Sequence, residues 1–422
     1  MEKKAGIIVI ADDLTGGADT GVQFCRAVGG IYLKHYAAGT VACENGWPTG
    51  LSIYTNSRHI DAAEAARRAA AALAGADRSP SSPVYKKIDS CLRGNIGAEL
   101  DALMRQSGAE ISIVAPALPA QGRTTLHDVH RVDEVPVALT EMGRDPLSPV
   151  KVSQVSSLLS AQSEFKVGHM DLAWIDQGLF HIEKRLAQLR QDGCKHIVFD
   201  ALGNEHLQTI AFLARRLLNS ENILLAGSAG LATAVAAAAA AEGQEEKRDP
   251  RPVVRRWLFV CGSASEVMRR QVDRLTARRD WLHSVLHPAV LSGGEGSHAQ
   301  LWSEKQAQQD PHSAGMILSV APLAVQAEER VEAQAILAAV TEKAVSALQG
   351  PEYDALFLSG GDTAEAVLHG IDASGICLQE EILPGLVRGA IAGGDYHGLP
   401  VITKAGAFGS DDVLLKLIQL LE

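Results

Sequence analysis

Two adjacent aspartates, Asp12 and Asp13, follow the short apolar run Ile7–Ile10 and precede the glycine-rich stretch "LTGGADTG". In a parallel sheet, ligands bind at the carboxyl ends of the strands. Two carboxylates there can accept hydrogen bonds from hydroxyls, or one can take a proton as a base. Capping of the next helix accounts for one aspartate but not for both. A second group ends another strand, in "YTNSRH", where Arg58 offers a planar guanidinium able to hold a carboxylate by two parallel bonds. The third and densest group is "YKKIDSCLRGNIG", residues 85–97, with Lys86, Lys87, Asp89 and Arg93 around the buried-type Ile88.

Strand alternation sends Lys86 and Lys87 to opposite faces, so one lysine and Asp89 are expected to face a ligand. Arg93 and Asn95 are then expected to organise the following loop. An edge strand protected by lysines is the bland alternative, and this stretch alone does not exclude it. "PALPAQGRTT", residues 116–125, adds Gln121, Arg123 and two threonines on a proline-fixed loop.

The second half carries small-residue loops of another kind. "CGSAS" (261–265), "SGGDT" (359–363) and "KAGAFGSDD" (404–412) each sit between an apolar run and a helix-type stretch. Such loops let backbone N–H groups and helix N-termini approach phosphates without a Cβ in the way. Three in one domain make a nucleotide site plausible, with Asp411 and Asp412 favouring the helix N-terminus rather than binding metal. No Gly-Lys pair occurs, which removes the P-loop, and there is no G-x-G-x-x-G, H-E-x-x-H or G-x-S-x-G. A Rossmann dehydrogenase, a P-loop ATPase and a standard hydrolase are therefore disfavoured.

The elements that must position these groups alternate between strand and helix, the pattern of an α/β protein with mainly parallel sheets flanked by helices. At 422 residues two domains are expected. The charged, proline-containing "QEEKRDPRPVVRR" marks the boundary: residues 1–241 form one domain, 242–253 a linker and 254–422 the second. The stretch 284–349 reads as mostly helical.

A formal net charge of -11 argues against nucleic-acid binding, and any anion must be held by a local cluster. There is no run of ~20 apolar residues to span a bilayer, and no signal-peptide core. Six scattered cysteines without C-x-x-C fit reduced thiols, so the expected location is the cytoplasm. Oligomeric state is not readable from the motifs, and a homodimer stays open.

Taken together, "VIADDLTGGADTG", "YKKIDSCLRGNIGAEL", "PALPAQGRTTL", "FLSGGDTAEAV" and "LPVITKAGAFGSDDVL" resemble the four-carbon acid sugar kinases over nearly the whole chain. The resemblance implies an N-terminal acid-sugar-binding domain, a C-terminal ATP-binding domain and an active site in the cleft between them. The implied reaction is ATP- and Mg²⁺-dependent phosphorylation of the C4 hydroxyl of a tetronate. D-threonate is the first expectation, with D-erythronate, L-threonate or a 3-oxo-tetronate as alternatives. A regulator that binds these ligands without catalysis is the rival from another class.

Carried over by motif, Asp13, Arg58, Lys86, Lys87, Ile88, Asp89 and Arg93 would meet the sugar acid, with the base open between Asp13 and Asp89. Ser263, Ser265, Gly360, Gly361, Asp362, Thr363 and Gly406 would meet ATP. Many relatives have Asp-Ser-Thr where this chain has Asp89-Ser90-Cys91, which puts a ligand role at position 91 in doubt.

Overall fold

A computed structural model describes residues 6–39, 49–77, 79, 82–145, 147–240, 251–263, 265–277, 281–288, 301–305, 314–321, 333–350, 352–406 and 408–422. The chain divides into two units, one of Met1–Ala38 with Pro48–Glu246, the other of Gly39–Trp47 with Lys247–Glu422. Most of the linker expected at 242–253 lies outside the described residues, which resume at 251.

In the first unit the site-bearing elements are β1 (Ile8–Ala11), α1 (Leu14–Val28), β2 (Ile31–His35), β3 (Gly50–Tyr54), α2 (Ala62–Ala74), β4 (Val84–Lys87), α3 (Ile96–Ser107) and β5 (Ile111–Ala115). Strands run parallel in the order β2, β3, β1, β4, Ile223–Gly227, β5, His196–Phe199, Val167–Met170. From β1 the chain passes out to β2 and fills in β3 between them, and then crosses to place β4 on the other side of β1. This is a topological switch point, where the loops leave a crevice at the strand ends. All four residues of β1 and of β4 are buried, as strands covered on both faces must be.

α1 packs closely on β2 and β3 because Gly17 lacks a side chain: a Cβ there would lie 2.9 Å from Leu33 Cδ1 and 3.3 Å from Ser52 Oγ. Ser52 Oγ in turn donates to the Gly17 carbonyl at 2.8 Å. After β5 the "GRTT" segment does not stay a loop. Arg123–Leu126 pairs antiparallel with Val129–Val132, which pairs with Val135–Pro136.

The second unit's sheet has the order Trp302–Lys305, Leu282–Leu286, Gly315–Val320, Trp257–Cys261, Ala355–Ser359, Pro400–Lys404, Leu386–Ala392, Gly375–Leu383. The five strands from Leu282–Leu286 to Pro400–Lys404 are parallel and the outer ones antiparallel. Its core stacks Trp257, Phe259 and Phe357 against the helices Glu266–Thr276 and Val413–Leu421.

The helical expectation for 284–349 is corrected. Its described residues include the three strands at 282–286, 302–305 and 315–320, with a helix only at Ala333–Leu348. Short apolar runs such as "GMILSV" are ambiguous in period, and burial between parallel neighbours decides them as strand. Cys25, Cys91, Cys194 and Cys261 are buried thiols outside any disulfide. Cys377 is disulfide-bonded, against the all-thiol expectation, because spacing along the chain does not say which sulfurs a fold brings together. No helix among the described residues is long and apolar enough to cross a membrane.

Candidate active site

Asp13 is both the N-cap of α1 and a rim group. Its Oδ1 accepts from Gly16 N at 3.0 Å and its Oδ2 from the Thr15 hydroxyl at 2.8 Å. Asp12 is committed elsewhere: Arg58 Nε donates to its Oδ2 at 2.7 Å and Arg58 Nη2 to its Oδ1 at 2.9 Å. The same Nη2 lies 2.8 Å from Asp13 Oδ1, so one guanidinium ties both aspartates. Burial alone would push the Asp12 carboxyl up. The Arg58, Lys86 and Lys87 charges outweigh it and hold the group down at about 2. Arg58 is thus matched by anions of the chain itself, rather than standing free for a ligand.

The two lysines of "YKKIDS" separate as strand parity requires. Lys86 Nζ pairs with Glu99 Oε2 of α3 at 2.7 Å, both side chains almost fully buried. The other Glu99 oxygen accepts from Ser57 Oγ, which lies 2.6 Å from Thr55 Oγ1. Thr55 Oγ1 donates on to the Ala11 carbonyl at 3.0 Å. This buried chain of contacts ties the ends of β1, β3 and β4 to α3. Burial pushes the Glu99 carboxyl up against the opposing pull of the Lys86 ammonium.

Lys87 points to the α1 side. A Cβ on Gly16 would stand 3.0 Å from Lys87 Nζ and 2.5 Å from Asp13 Oδ1. The residue is only 5% exposed, and its ammonium has no hydrogen bond or ion pair among the described residues. Ile88 is buried, and its N–H donates to the Gly227 carbonyl at 2.9 Å.

Asp89 accepts from Arg93 Nε at 2.7 Å and from Arg93 Nη2 at 3.2 Å. Burial opposes ionisation of Asp89, but Arg93, Arg58 and Lys87 together hold it well below the usual carboxylate range. Asn95 Nδ2 donates to the Ser57 and Ile60 carbonyls, fixing the loop that carries Arg58. Beside this loop lies a cavity of about 350 Å³ that Arg58, Arg93, Asn95 and Gln162 help to line. Their polar groups are bonded within the chain, Gln162 to Gly94 and Gly97.

Glu99 and Ser57 were not singled out from sequence. A signal existed for Glu99: it shares the apolar helix face of Ile96, Leu100 and Leu103, where a charge needs a partner.

The hairpin after β5 supports the Asp89 loop. His130 Nε2 donates to the Ser90 carbonyl at 2.8 Å, while its Nδ1 lies 3.0 Å from Thr125 Oγ1. Burial holds the ring down at about 4, against the opposing pull of the Ser90 carbonyl and Asp89. A histidine depressed in the fold contributes stability above its unfolded pKa of about 6.5, and that contribution is lost as pH falls. Between pH 6.5 and 4 the His130 contribution is expected to fall by roughly 3 kcal/mol, at about 1.4 kcal/mol per pKa unit. Urea denaturation across this range should show the decline in wild type and a flatter profile in His130→Gln. Parallel profiles would refute it.

Among the described residues, His127, Asp171 and Asp200 offer ligand atoms within 4.8 Å of one another. Asp200 already accepts from the His127, Asp128 and Leu172 N–H groups and contacts His169 Nε2, so its lone pairs serve a structural clamp.

In the second unit, the three small-residue loops meet at the carboxyl ends of the strands. A Cβ on Gly262 would lie 2.2 Å from Thr363 Oγ1, and one on Gly406 2.6 Å from Ser263 Oγ. Ser265 caps the helix Glu266–Thr276 through Met268 N, and its hydroxyl donates to the Gly406 carbonyl at 3.1 Å. Gly360 adopts φ +98 and opens the helix Gly361–Gly370, whose first turn holds the exposed Asp362 and the buried Thr363. Ser263, Ser265, Gly360–Thr363 and Gly406 are thus brought together.

Family models agree with this division of labour. Residues 7–235 match a sugar-binding N-terminal domain and residues 258–414 a nucleotide-binding C-terminal domain. The chain is 33% identical to a D-threonate kinase of Salmonella typhimurium, with 99% of this chain and 98% of the relative covered. The chain belongs to the four-carbon acid sugar kinase family.

Other members of this family include a D-erythronate kinase of Heliobacterium modesticaldum, 28% identical over 99% of this chain and 97% of the relative. A 3-oxo-tetronate kinase of Brucella melitensis is 27% identical over 96% of this chain and 93% of its own length. A solved structure from Salmonella typhimurium shares the fold at a TM-score of 0.79 and 23% identity, covering 99% of this chain and 100% of that one. As a member of this family, the protein is a kinase that transfers phosphate to a sugar acid.

Proposed function

We propose that the enzyme phosphorylates the C4 hydroxyl of D-threonate, giving 4-phospho-D-threonate and ADP. The observation that carries the reading is Lys87, a buried side chain beside Asp13 at the end of β1 whose ammonium makes no hydrogen bond or ion pair among the described residues. A buried ammonium is costly unless an anion joins it. The Asp12 and Asp89 charges are close enough to feel it, and the substrate carboxylate or the transferring phosphoryl group would supply the bonded anion.

Asp13 takes the proton of the C4 hydroxyl as the O4–P bond forms and the bond between the β-phosphate and the γ-phosphoryl breaks. Asp89, held by Arg93, accepts hydrogen bonds from substrate hydroxyls. Arg58 holds Asp12 and Asp13 in place. Lys86 serves the scaffold through Glu99, leaving Lys87 as the lysine that meets ligand. Phosphoryl transfer is mostly positioning and charge neutralisation, which is what these groups provide.

ATP would lie along the loops of Ser263, Ser265, Gly360–Thr363 and Gly406, its phosphates at the N-termini of two helices. Mg²⁺ would ride on those phosphates largely through water. The donors fit that role, since Asp362 is an exposed carboxylate in the first turn of its helix. D-threonate is preferred because the 33% and 31% identical relatives carry that name, against 28% for the D-erythronate kinase.

The test is ADP release with D-threonate, D-erythronate, L-threonate and a 3-oxo-tetronate, with and without Mg²⁺. The highest kcat/KM is expected for D-threonate, and another acid ahead of it would reassign the substrate. Replacing Lys87 by Met should raise KM for the sugar acid or lower kcat by about 10–100-fold, the worth of a charge-assisted hydrogen bond. Unchanged kinetics would remove Lys87 from the site.

A further inference from the structure

Lys404 ends the strand Pro400–Lys404 in register with Ser359, which is itself paired with Cys261, so it stands beneath the loops assigned to the nucleotide. It is 1% exposed, yet no acidic partner among the described residues holds its ammonium. Instead Nζ donates to three carbonyls: Ala405 at 2.9 Å, Gly406 at 3.2 Å and Phe408 at 2.9 Å. In a trans peptide the carbonyl and the following N–H point in opposite directions. Drawing the Ala405 and Phe408 carbonyls inward therefore turns the Gly406 and Gly409 N–H groups away from the lysine. Neither of these N–H groups makes a hydrogen bond among the described residues. The Gly406 carbonyl is fixed from a second side by Ser265 Oγ, and Gly406 closes directly on Ser263.

We propose that Lys404 is a positioning residue for the nucleotide: it gathers the Ala405, Gly406 and Phe408 carbonyls so that the Gly406 and Gly409 N–H groups are presented to the phosphates. A buried cation behind outward N–H groups also makes the cradle electropositive, as an anion site requires. The inference rests on the assignment of this rim to ATP. Burial holds the lysine down at about 8, against the opposing pull of Cys261. Cys261 is the titratable group whose charge is felt at Lys404 among the described residues, and burial pushes its thiol up to about 12. The lysine therefore loses its proton before Cys261 does, and the cradle weakens as pH rises above about 8.

The test is direct calorimetric titration of ATP into wild type and Lys404→Met, alongside steady-state kinetics. Loss of one charge-assisted contact set should weaken ATP binding and raise its KM by about tenfold or more, with KM for the sugar acid unchanged. Wild type should also bind ATP more weakly at pH 9 than at pH 7.5, a readout that does not depend on the variant folding. Equal ATP affinity in Lys404→Met and wild type, or a wild-type affinity flat across this pH range, overturns the role of Lys404 while leaving the ATP site intact. Absence of ATP binding by wild type would overturn both this role and the nucleotide assignment.

Discussion

Asp13→Asn should lower kcat by about a thousandfold, within the range removed when a general base is lost. The substitution is chosen because the amide oxygen still accepts from Gly16 N, so the cap of α1 survives. Arg58 keeps its two bonds to Asp12, so the guanidinium is not left unpaired. KM for the sugar acid should move only a few-fold and the melting temperature little, because what is lost is proton acceptance. Steady-state kinetics with D-threonate, together with a thermal melt, checks it. A kcat near that of wild type would show that Asp13 is not the base.

The second large effect concerns stability. Glu99→Leu leaves the Lys86 ammonium buried without a counter-charge, and breaking a buried pair in this way costs about 3–5 kcal/mol. It also removes the acceptor of the Ser57 hydroxyl and loosens the chain of contacts to Ala11. The double change Lys86→Met with Glu99→Leu should recover most of that loss, since apolar replacement of a whole buried pair is often close to neutral. Urea denaturation of both single variants and the double variant measures the coupling. If Lys86 is scaffold, the double variant also keeps its KM for the sugar acid. A folded double variant with that KM raised tenfold would place Lys86 back among the substrate contacts.

These two experiments separate residues that are neighbours in sequence and look alike on paper. "YKKIDS" presents two equivalent lysines, and parity alone says that they diverge. Which of them is neutralised depends on Glu99, twelve or more positions away and on another element. The same holds for Arg58. Its chemistry as a carboxylate binder was legible, but not that its carboxylates are Asp12 and Asp13. By its position Asp13 can be either cap or site group, and it is the cap of α1 while also standing at the rim. In the second unit, glycine and serine spacing was enough to mark the three loops, because their requirement is local: no Cβ where a backbone or phosphate must approach. Lys404 carries no such mark, since an ammonium that holds three carbonyls looks in sequence like any strand-end lysine.

The alternation of strands and helices, the two-domain plan and the motif set of the acid sugar kinases can be read along the chain. Those depend on periodicity and on short-range turn chemistry, which are written along the chain. The tertiary structure decided which charges neutralise each other, that "GRTT" turns into a hairpin held to Ser90 through His130, and that residues 282–286, 302–305 and 315–320 are strands. A charge is satisfied through space, and a short apolar run takes the conformation of the sheet it is buried in. Among the described residues Lys87 is left without a bonded partner beside Asp13, because the fold gave Glu99 to Lys86.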